Sequence, residues 1–364
     1  MTPKPDKGIV FYAEHEGYFP NFEGLIHELT RRHQQTICYI TSDAKDPILS
    51  HPMPRVHVFY SNLLLPFLML FIQCKVFVMT LTDLNHFHLK RSLYPVHYVY
   101  VFHSLVSVHM AYRRSSFDFY DSLLLTGPYQ EEEILEYETK YGLPRKKLIP
   151  AGYYRLERIY DQYKTHRISY APNGKKTTVL IAPSWGDKNV IESCGEALVE
   201  ILLQAGYQVI VRPHPETMRR KPQMVSHLIK KFGSNPSIIF EMSILTDDSL
   251  LKSDILISDG SGIALEYALG TERPVLFLDV PWKIRNPEYQ NLSMEPIEIT
   301  MRRKIGVTVP VSQLREVPRI IEDLKSKQDL YKQDLARLRE KYVFAFGQSS
   351  QIGAKHIMTL VSRL

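Results

Sequence analysis

The chain has 364 residues, of which 44% are hydrophobic and 23% charged. This composition excludes disordered and fibrous classes, and the length favours two domains over one. The 45 basic and 39 acidic residues give a formal charge of +6, which suits a phosphorylated substrate or an anionic lipid surface without identifying either.

The cysteines and the N-terminal residues indicate a cytoplasmic protein. Cys38, Cys74 and Cys194 are odd in number and share no metal-type spacing. We therefore expect a reducing environment, no disulfide framework and no metal site. Residues 1–7 are polar and do not form a secretory signal. Basic residues occur in short clusters without interleaved aromatic side chains, so nucleic acid is not an expected partner.

The first half of the chain alternates strand-type and helical runs, which predicts a parallel sheet covered by helices. The predicted strands are residues 8–13, 36–41, 56–60, 75–80, 98–102 and 122–125. Residues 63–79 are apolar enough to suggest a membrane span. Pro66 and the polar residues 73–75 divide this segment into a short helix and a buried strand, and only a peripheral membrane contact stays open.

A polar, turn-rich segment at 161–176 is the predicted linker between a first domain at 1–160 and a second domain at 177–345. The first helix of the second domain has a capping box formed by Asn189 and Glu192, and Gly206 marks its end. A C-terminal helix is expected at 346–364.

Three buried strands of the second half are each followed by a short segment with unusual polar residues. They lead into Ala-Pro-Ser-Trp at 182–185, Arg-Pro-His-Pro at 212–215 and Ser-Asp-Gly-Ser-Gly at 258–262. Because ligands of open parallel sheets lie beyond the carboxyl ends of strands, these segments point at one cleft. Small residues in the last segment would let N–H groups at a helix start approach an anion. The sequence therefore predicts a phosphate site, and the polar loop at 14–18 opens onto the same cleft.

The same segments, in the same order, resemble the CDP-glycerol glycerophosphotransferase family of teichoic-acid and capsule synthesis. Its members carry a similar Ala-Pro-Thr-Trp, a His-Pro after a strand, and Thr-Asp-Tyr-Ser-Ser followed by Phe-Asp-Phe. Upstream, residues 152–155 resemble its Gly-Tyr-Pro-Arg and residues 102–104 its Trp-His-Gly, so the likeness covers about residues 95 to 280. The resemblance implies an α/β protein of GT-B type, with two Rossmann-like domains facing a central cleft.

The resemblance also implies a reaction, in which an acceptor hydroxyl attacks the β-phosphorus of CDP-glycerol or a related CDP-polyol and CMP leaves. His103 would be the base and His214 would face the pyrophosphate. The residues expected to bind substrate are Ser184, Trp185, Arg212, Asp259, Ser261, Gly262 and Glu266. No cofactor is implied beyond the nucleotide-activated donor. The acceptor would be a glycan or a polyprenyl-linked molecule. The protein would bind it in the cytoplasm, at the inner face of the cell membrane.

Four departures from the family pattern keep alternatives open. Ser104 follows His103 where Gly is usual, and Gly260, Gly262 and Glu266 replace a Tyr, a Ser and an Asp. This version of the turn is also similar to that of UDP-N-acetylglucosamine 2-epimerases, so a nucleotide-sugar glycosyltransferase or epimerase is one alternative. A degenerate relative that binds nucleotide without turnover is another. His109 is a rival to His103, and Trp185 could be a core anchor.

Overall fold

A computed structural model describes residues 8–169, 176–243 and 245–363 and contains two parallel sheets. The strands of the first sheet are β1 (Ile9–Ala13), β2 (Ile37–Thr41), β3 (Val56–Tyr60), β4 (Val76–Met79), β5 (His97–Val101), β6 (Ser122–Leu125) and β7 (Lys147–Pro150). Those of the second are β8 (Thr178–Ile181), β9 (Gln208–Val211), β10 (Ile238–Phe240), β11 (Ile255–Ser258), β12 (Val275–Asp279) and β13 (Gly306–Pro310).

Helices cover the faces of both sheets. The helices that follow strands of the first sheet are α1 (Phe19–His27), α2 (Leu65–Phe71), α3 (Val108–Ala111), α4 (Pro128–Tyr141) and α5 (Tyr154–Ser169). The remaining helices are α6 (Val190–Gln204), α7 (Pro215–Arg220), α8 (Pro222–Phe232), α9 (Asp248–Lys252), α10 (Gly262–Thr271), α11 (Ile297–Ile305), α12 (Val317–Ser326), α13 (Gln328–Tyr342) and α14 (Ser349–Arg363).

Both sheets are doubly wound. The first has the order β3-β2-β1-β4-β5-β6-β7 and the second the order β10-β9-β8-β11-β12-β13, and all pairs are parallel. Each order reverses beside the first strand of its sheet, which opens a crevice at the carboxyl ends of β1 and β4 and of β8 and β11. Central strands such as β11 are buried along their length, which explains their continuous apolar sequence.

The first sheet agrees closely with the prediction. All six predicted strands are present, with ends that differ by at most one residue. β7 was not predicted, because it is an edge strand with exposed ends at Lys147 and Pro150. The apolar segment 63–79 becomes α2 followed by β4, as predicted. In the described parts of the chain, no helix combines the length and the apolar character needed to cross a membrane.

The segment at 161–176, predicted to be a turn-rich linker, is helical over its first nine residues, because α5 continues to Ser169. Residues 170–175 lie outside the described residues. The helix persists because Leu156, Ile159 and Tyr163 form a buried apolar stripe at helical spacing. Leu156 and Ile159 pack in a core with α10 of the second domain, so α5 joins the two halves.

The start of α6 follows the predicted capping pattern in part. The Asn189 side chain accepts the N–H of Glu192 at 3.1 Å and caps α6 as predicted. The Glu192 carboxylate reaches back to the N–H of Lys188 rather than that of Asn189.

At the C-terminus, α14 returns to the first domain, where Ala354 and Ile357 are buried in the core of the first sheet.

Candidate active site

The predicted strand-end segments meet in the cleft between the sheets. β5 leads to His103 in the first domain, and β9 leads to His214 in the second. Beyond the effect of burial, Lys283 lowers the pKa of both rings, and a proton on His103 would lower that of His214, which places the two histidines in the same electrostatic environment. The structure therefore brings together the two histidines predicted to be catalytic.

His103 is held as a neutral imidazole. Burial lowers the pKa of His103 to about 4, with smaller contributions from His15 and Lys283. Its Nδ1 atom lies 3.5 Å from the Tyr100 hydroxyl, and its ring centroid lies 5.2 Å from that of Tyr18. An imidazole that stays uncharged at neutral pH keeps a lone pair with which to accept a proton.

His214 is held in one tautomer. It caps α7, and its Nδ1 atom accepts the N–H of Glu216 at 3.1 Å. The proton of the neutral ring must then be on Nε2. Burial lowers the pKa of His214 to about 3, and Lys283 adds to the effect. In the free protein His214 is thus a hydrogen-bond donor through Nε2.

Trp185 lies beside His214, with ring centroids 6.2 Å apart. It is half-buried and surrounded by cations rather than packed in a hydrophobic core. Lys283 Nζ lies 4.0 Å from the ring centroid, Arg220 Cζ 4.8 Å and Arg285 Cζ 5.3 Å. This environment suits a ring that is stacked against a ligand more than it suits a core anchor.

Lys283 also lies in the site, although it was not among the site residues predicted from the sequence. It follows β12, so the strand-end rule that found the other segments would have found it if applied to this fourth strand. Burial, followed by the positive charge of Arg285, lowers the pKa of Lys283 to about 7. A lysine in this environment is a candidate for binding phosphate.

The turn between β11 and α10 is tied to the end of β8. The backbone N–H of Ser184 donates to Asp259 Oδ1 at 2.8 Å, and the Ser258 hydroxyl donates to the carbonyl of Ala182 at 2.7 Å. Ser261 precedes α10, whose first N–H groups have no carbonyl in a preceding turn to bond. Asp259 thus fixes the geometry of two strand-end loops, whatever its contact with substrate.

The glycines of this turn are required by packing, Gly262 against the first domain and Gly260 against Trp282 of its own domain. A Cβ atom on Gly262 would lie 1.9 Å from the Ser104 hydroxyl oxygen, and one on Gly260 would lie 2.6 Å from the Trp282 ring. The sequence had suggested only close approach of a ligand as the reason for these small residues. Ser104 and Gly262, two of the departures from the family pattern, therefore face each other across the cleft.

Two residues predicted to bind substrate are engaged by protein groups. Glu266 is 4% exposed; its Oε1 accepts from the Tyr153 hydroxyl at 2.7 Å and its Oε2 pairs with Arg155 Nε at 3.2 Å. Arg212 is equally buried and donates to the Ser249 hydroxyl at 2.9 Å. Their contacts with substrate stay predictions.

The loop at 14–18 does reach the cleft, as predicted. The His15 and Tyr18 ring centroids are 4.2 Å apart, and Tyr18 in turn lies against His103. His15 Nδ1 accepts the N–H of Gly17 at 3.1 Å, which leaves its Nε2 as the protonated nitrogen of the neutral ring. The first-domain edge of the cleft is therefore aromatic, with uncharged donors.

His109, the rival base, is committed elsewhere. Its Nδ1 lies 3.1 Å from Glu133 Oε2, and the two side chains are 2% and 1% exposed. Although burial opposes it, Glu133 raises the pKa of His109, and the pairing with this carboxylate makes the ring a poorer candidate for the base than His103. Across the described ranges, no group of three or more His, Cys, Asp or Glu side chains is placed to hold a metal ion.

The family of the chain follows from its match to a known family profile. The profile of the family described as CDP-glycerol:poly(glycerophosphate) glycerophosphotransferase matches residues 1–286. The chain belongs to this family. The match begins at the N-terminus, well before the segment at 95–280 that carries the sequence resemblance. No curated protein matches the chain.

Solved structures confirm the GT-B fold. The wall teichoic acid polymerase TagF is similar with a TM-score of 0.65 at 13% identity, over 98% of this chain and 90% of that chain. MnaA of S. aureus, in a co-structure with UDP, is similar with a TM-score of 0.61 at 13% identity, over 98% of both chains. This glycerophosphotransferase family member thus has two Rossmann-like domains, as the sequence predicted.

Proposed function

We propose that the protein transfers glycerol phosphate, or a related polyol phosphate, from a CDP-activated donor to a hydroxyl of a glycan or lipid-linked acceptor, and releases CMP. The observation that carries this proposal is the pair of neutral histidines, His103 and His214, on opposite edges of the cleft. Family membership supports the donor class, and the cations around Trp185 suit a diphosphate.

The transfer needs a base on one side and charge stabilisation on the other. The acceptor oxygen attacks the donor's β-phosphorus, and the bond from that phosphorus to the bridging oxygen breaks. The acceptor proton passes to Nε2 of His103, whose Nδ1 lies against Tyr100. The electron pair of the broken bond leaves on CMP. The Nε2–H of His214 donates to an oxygen of the departing phosphate.

The two substrates occupy different edges of the cleft. The donor lies on the second domain, with its base against Trp185 and its phosphates near Lys283 and the start of α10. The acceptor approaches along the first-domain edge past His15 and Tyr18, which leads to His103.

A donor screen tests the proposal. Purified protein is incubated with CDP-glycerol, CDP-ribitol and UDP-N-acetylglucosamine, with and without a lipid-like acceptor, and CMP and UDP release are measured. We expect acceptor-dependent CMP release, absent from His103→Asn. UDP release or epimerisation alone would favour the nucleotide-sugar alternative. Nucleotide binding without any turnover would favour the degenerate relative.

We propose that the protein contacts a membrane surface through an apolar face of the first domain and binds its acceptor there. Its side chains are between 55% and 91% exposed: Leu63, Leu64, Phe67, Phe71, Phe87 and Leu93. The N–H of Leu93 donates to the carbonyl of Leu70 at 2.9 Å, which joins the loop to α2. Clustered aromatic and leucine side chains bordered by cations are typical of peripheral membrane contacts.

One end of this apolar face approaches the cleft. Arg113 Cζ lies 5.8 Å from the ring centroid of Phe87, and the charge of Arg113 also lowers the pKa of Arg285 beside Trp185. A lipid-linked acceptor held at the apolar face would therefore have a short path to the active site. The proposed location is the cytoplasmic face of the cell membrane.

Vesicle flotation tests the membrane contact. We expect the protein to float with vesicles that contain anionic lipid, and Leu63→Asp combined with Phe67→Asp to abolish flotation. Leu330→Asp is the matched control, because Leu330 is 67% exposed on a helix far along the chain. Equal flotation by all variants would place the contact elsewhere, and no flotation of the parent would contradict it.

A further inference from the structure

Lys283 lies in a segment of the second domain that is anchored to the first. Two residues further on, the backbone N–H of Arg285 donates to the carbonyl of Met110 at 3.0 Å, and the Asn286 side chain donates to that of His109 at 2.9 Å. The segment therefore bridges the two domains across the cleft. The Lys283 stem lies beside Gly186 and its Nζ over the Trp185 ring, so the side chain packs on the loop that follows β8.

Lys283 has no carboxylate partner to balance its charge. In the described part of the chain no carboxylate lies within ion-pair distance of Nζ, which lies 4.0 Å from the centroid of the Trp185 ring. Arg285, on the same segment, also faces this ring. Like charges gathered in a cleft repel one another, so an anionic ligand at this place would be stabilised by them.

We propose that Lys283 binds the diphosphate of the nucleotide donor and takes up a proton as the donor binds. This inference rests on the proposed donor site, but it requires only a nucleoside diphosphate ester and not a particular polyol. It assigns the phosphate-binding cation to the segment after β12 rather than to Arg212, whose guanidinium donates to Ser249.

The charges around Lys283 explain the proton uptake. Burial and then Arg285 lower the pKa of Lys283 to about 7, and the acidic groups that partly oppose this are Asp259, Glu216 and Glu298. His103 and His214 are neutral at neutral pH and add little. Above pH about 7, much of Lys283 is therefore uncharged in the free protein. Two phosphate charges raise its pKa, so the amine is protonated on binding.

The direction of the pKa change determines the pH at which proton uptake can be measured. Well below pH about 7, Lys283 is already charged and donor binding takes up no proton at this site. Near pH about 8, the free amine is largely neutral and uptake is greatest. The phosphates of CDP-glycerol and UDP-N-acetylglucosamine are both diesterified and do not titrate in this range. Any proton taken up thus belongs to the protein.

Calorimetry in two buffers of different ionisation enthalpy measures the uptake directly. At pH about 8, we expect binding of CDP-glycerol to the parent protein to show net proton uptake. Lys283→Arg should bind with no uptake, because arginine stays charged. Lys283→Met keeps the apolar stem against Trp185 but should bind at least tenfold more weakly. Lys230→Ala, which removes an exposed positive charge on α8, is the matched control and should equal the parent.

The outcomes separate this inference from the proposed function. Uptake and Lys283 dependence with UDP-N-acetylglucosamine but no binding of CDP-glycerol would support Lys283 and contradict the proposed donor. Parent binding without proton uptake, or uptake retained in Lys283→Arg, would overturn the inference, as would unchanged affinity in a folded Lys283→Met. Absence of binding by either compound would overturn both proposals. Melting curves of each variant establish that it is folded.

Discussion

The two edges of the cleft are built by the same topological rule but carry contrasting chemistry. On the second domain, the cleft carries Trp185 with three cations around its ring, Lys283, Arg220 and Arg285. On the first sheet, the corresponding residues are His15, Tyr18 and His103, which are uncharged near neutral pH. The fold fixes where the side chains meet, and the residue types after each strand decide which edge attracts phosphate.

The contrast has a chemical reason. A base must be uncharged before it can accept a proton, whereas a diphosphate needs fixed positive charge. Lys283 affects both edges, because its charge contributes to the lowered pKa of His103 and of His214. Positive charge on the donor edge therefore helps to keep the base on the acceptor edge neutral in the free protein.

The largest expected effect comes from removing the base. His103→Asn keeps a polar side chain of similar size but has no basic nitrogen, so kcat should fall by roughly 10²–10⁴-fold. Acceptor-dependent CMP release measures the effect. The matched variant is His109→Asn, in which we expect far more residual turnover, because His109 is paired with Glu133. If the two variants lost turnover equally, the assignment of the base would be wrong.

The next effect concerns the buried ion pair between Arg155 and Glu266, which joins the two domains. Glu266→Ala leaves Arg155 buried with one carboxylate partner fewer, so the free energy of unfolding should drop by about 3–5 kcal/mol. Denaturant titration measures it. Asp248→Ala removes the exposed ion pair to Lys252 and should cost less than about 1 kcal/mol. A Glu266→Ala protein as stable as its parent would leave this carboxylate free for a role in binding.

A smaller kinetic effect is expected on the donor edge. His214→Asn should lower turnover by about 10²-fold, because one hydrogen bond to the departing phosphate is lost. Initial rates across CDP-glycerol concentrations measure it. Donor affinity should weaken as well, which distinguishes this variant from His103→Asn. Near-normal turnover would remove His214 from the reaction.

The packing of Ser104 against Gly262 can be tested by exchange. Gly262→Ser places a side chain where its Cβ would meet the Ser104 hydroxyl, and should destabilise the protein by about 1–3 kcal/mol. Ser104→Gly in the same chain should restore most of that stability, since this pair is the arrangement usual in the family. Thermal unfolding of the two single variants and the double variant measures the coupling. Additive losses would show that the two residues do not share the space.

The smallest effect is on the pH dependence of kcat/KM. Because the neutral form of His103 is active and its pKa is lowered to about 4, the acid limb should lie near pH 4 rather than at the usual value for histidine. The charged form of Lys283 binds donor, so a basic limb should lie near pH 7. Lys283→Arg should remove only the basic limb. An acid limb near the ordinary histidine pKa would mean that His103 is more solvated than the structure indicates.

The sequence predicted what depends on local pattern. Apolar runs followed by Trp185, His214 and Asp259 identify strand ends, and topology alone brings strand ends together. Lys283 follows the same rule and was within reach of sequence reasoning. The partners of Glu266 and the contact of Ser104 with Gly262 were not, because each joins segments far apart in the chain. The helical state of residues 161–169 was not predicted, because this polar stretch conceals the buried Tyr163.

The most direct test of the contrast between the edges is calorimetric titration of CDP-glycerol into His103→Asn and Lys283→Met side by side. The account predicts that His103→Asn binds donor as tightly as the parent, while Lys283→Met binds at least tenfold more weakly, a difference of about 1.4 kcal/mol. An equal loss of affinity in both variants would contradict the division of the cleft into donor and acceptor edges.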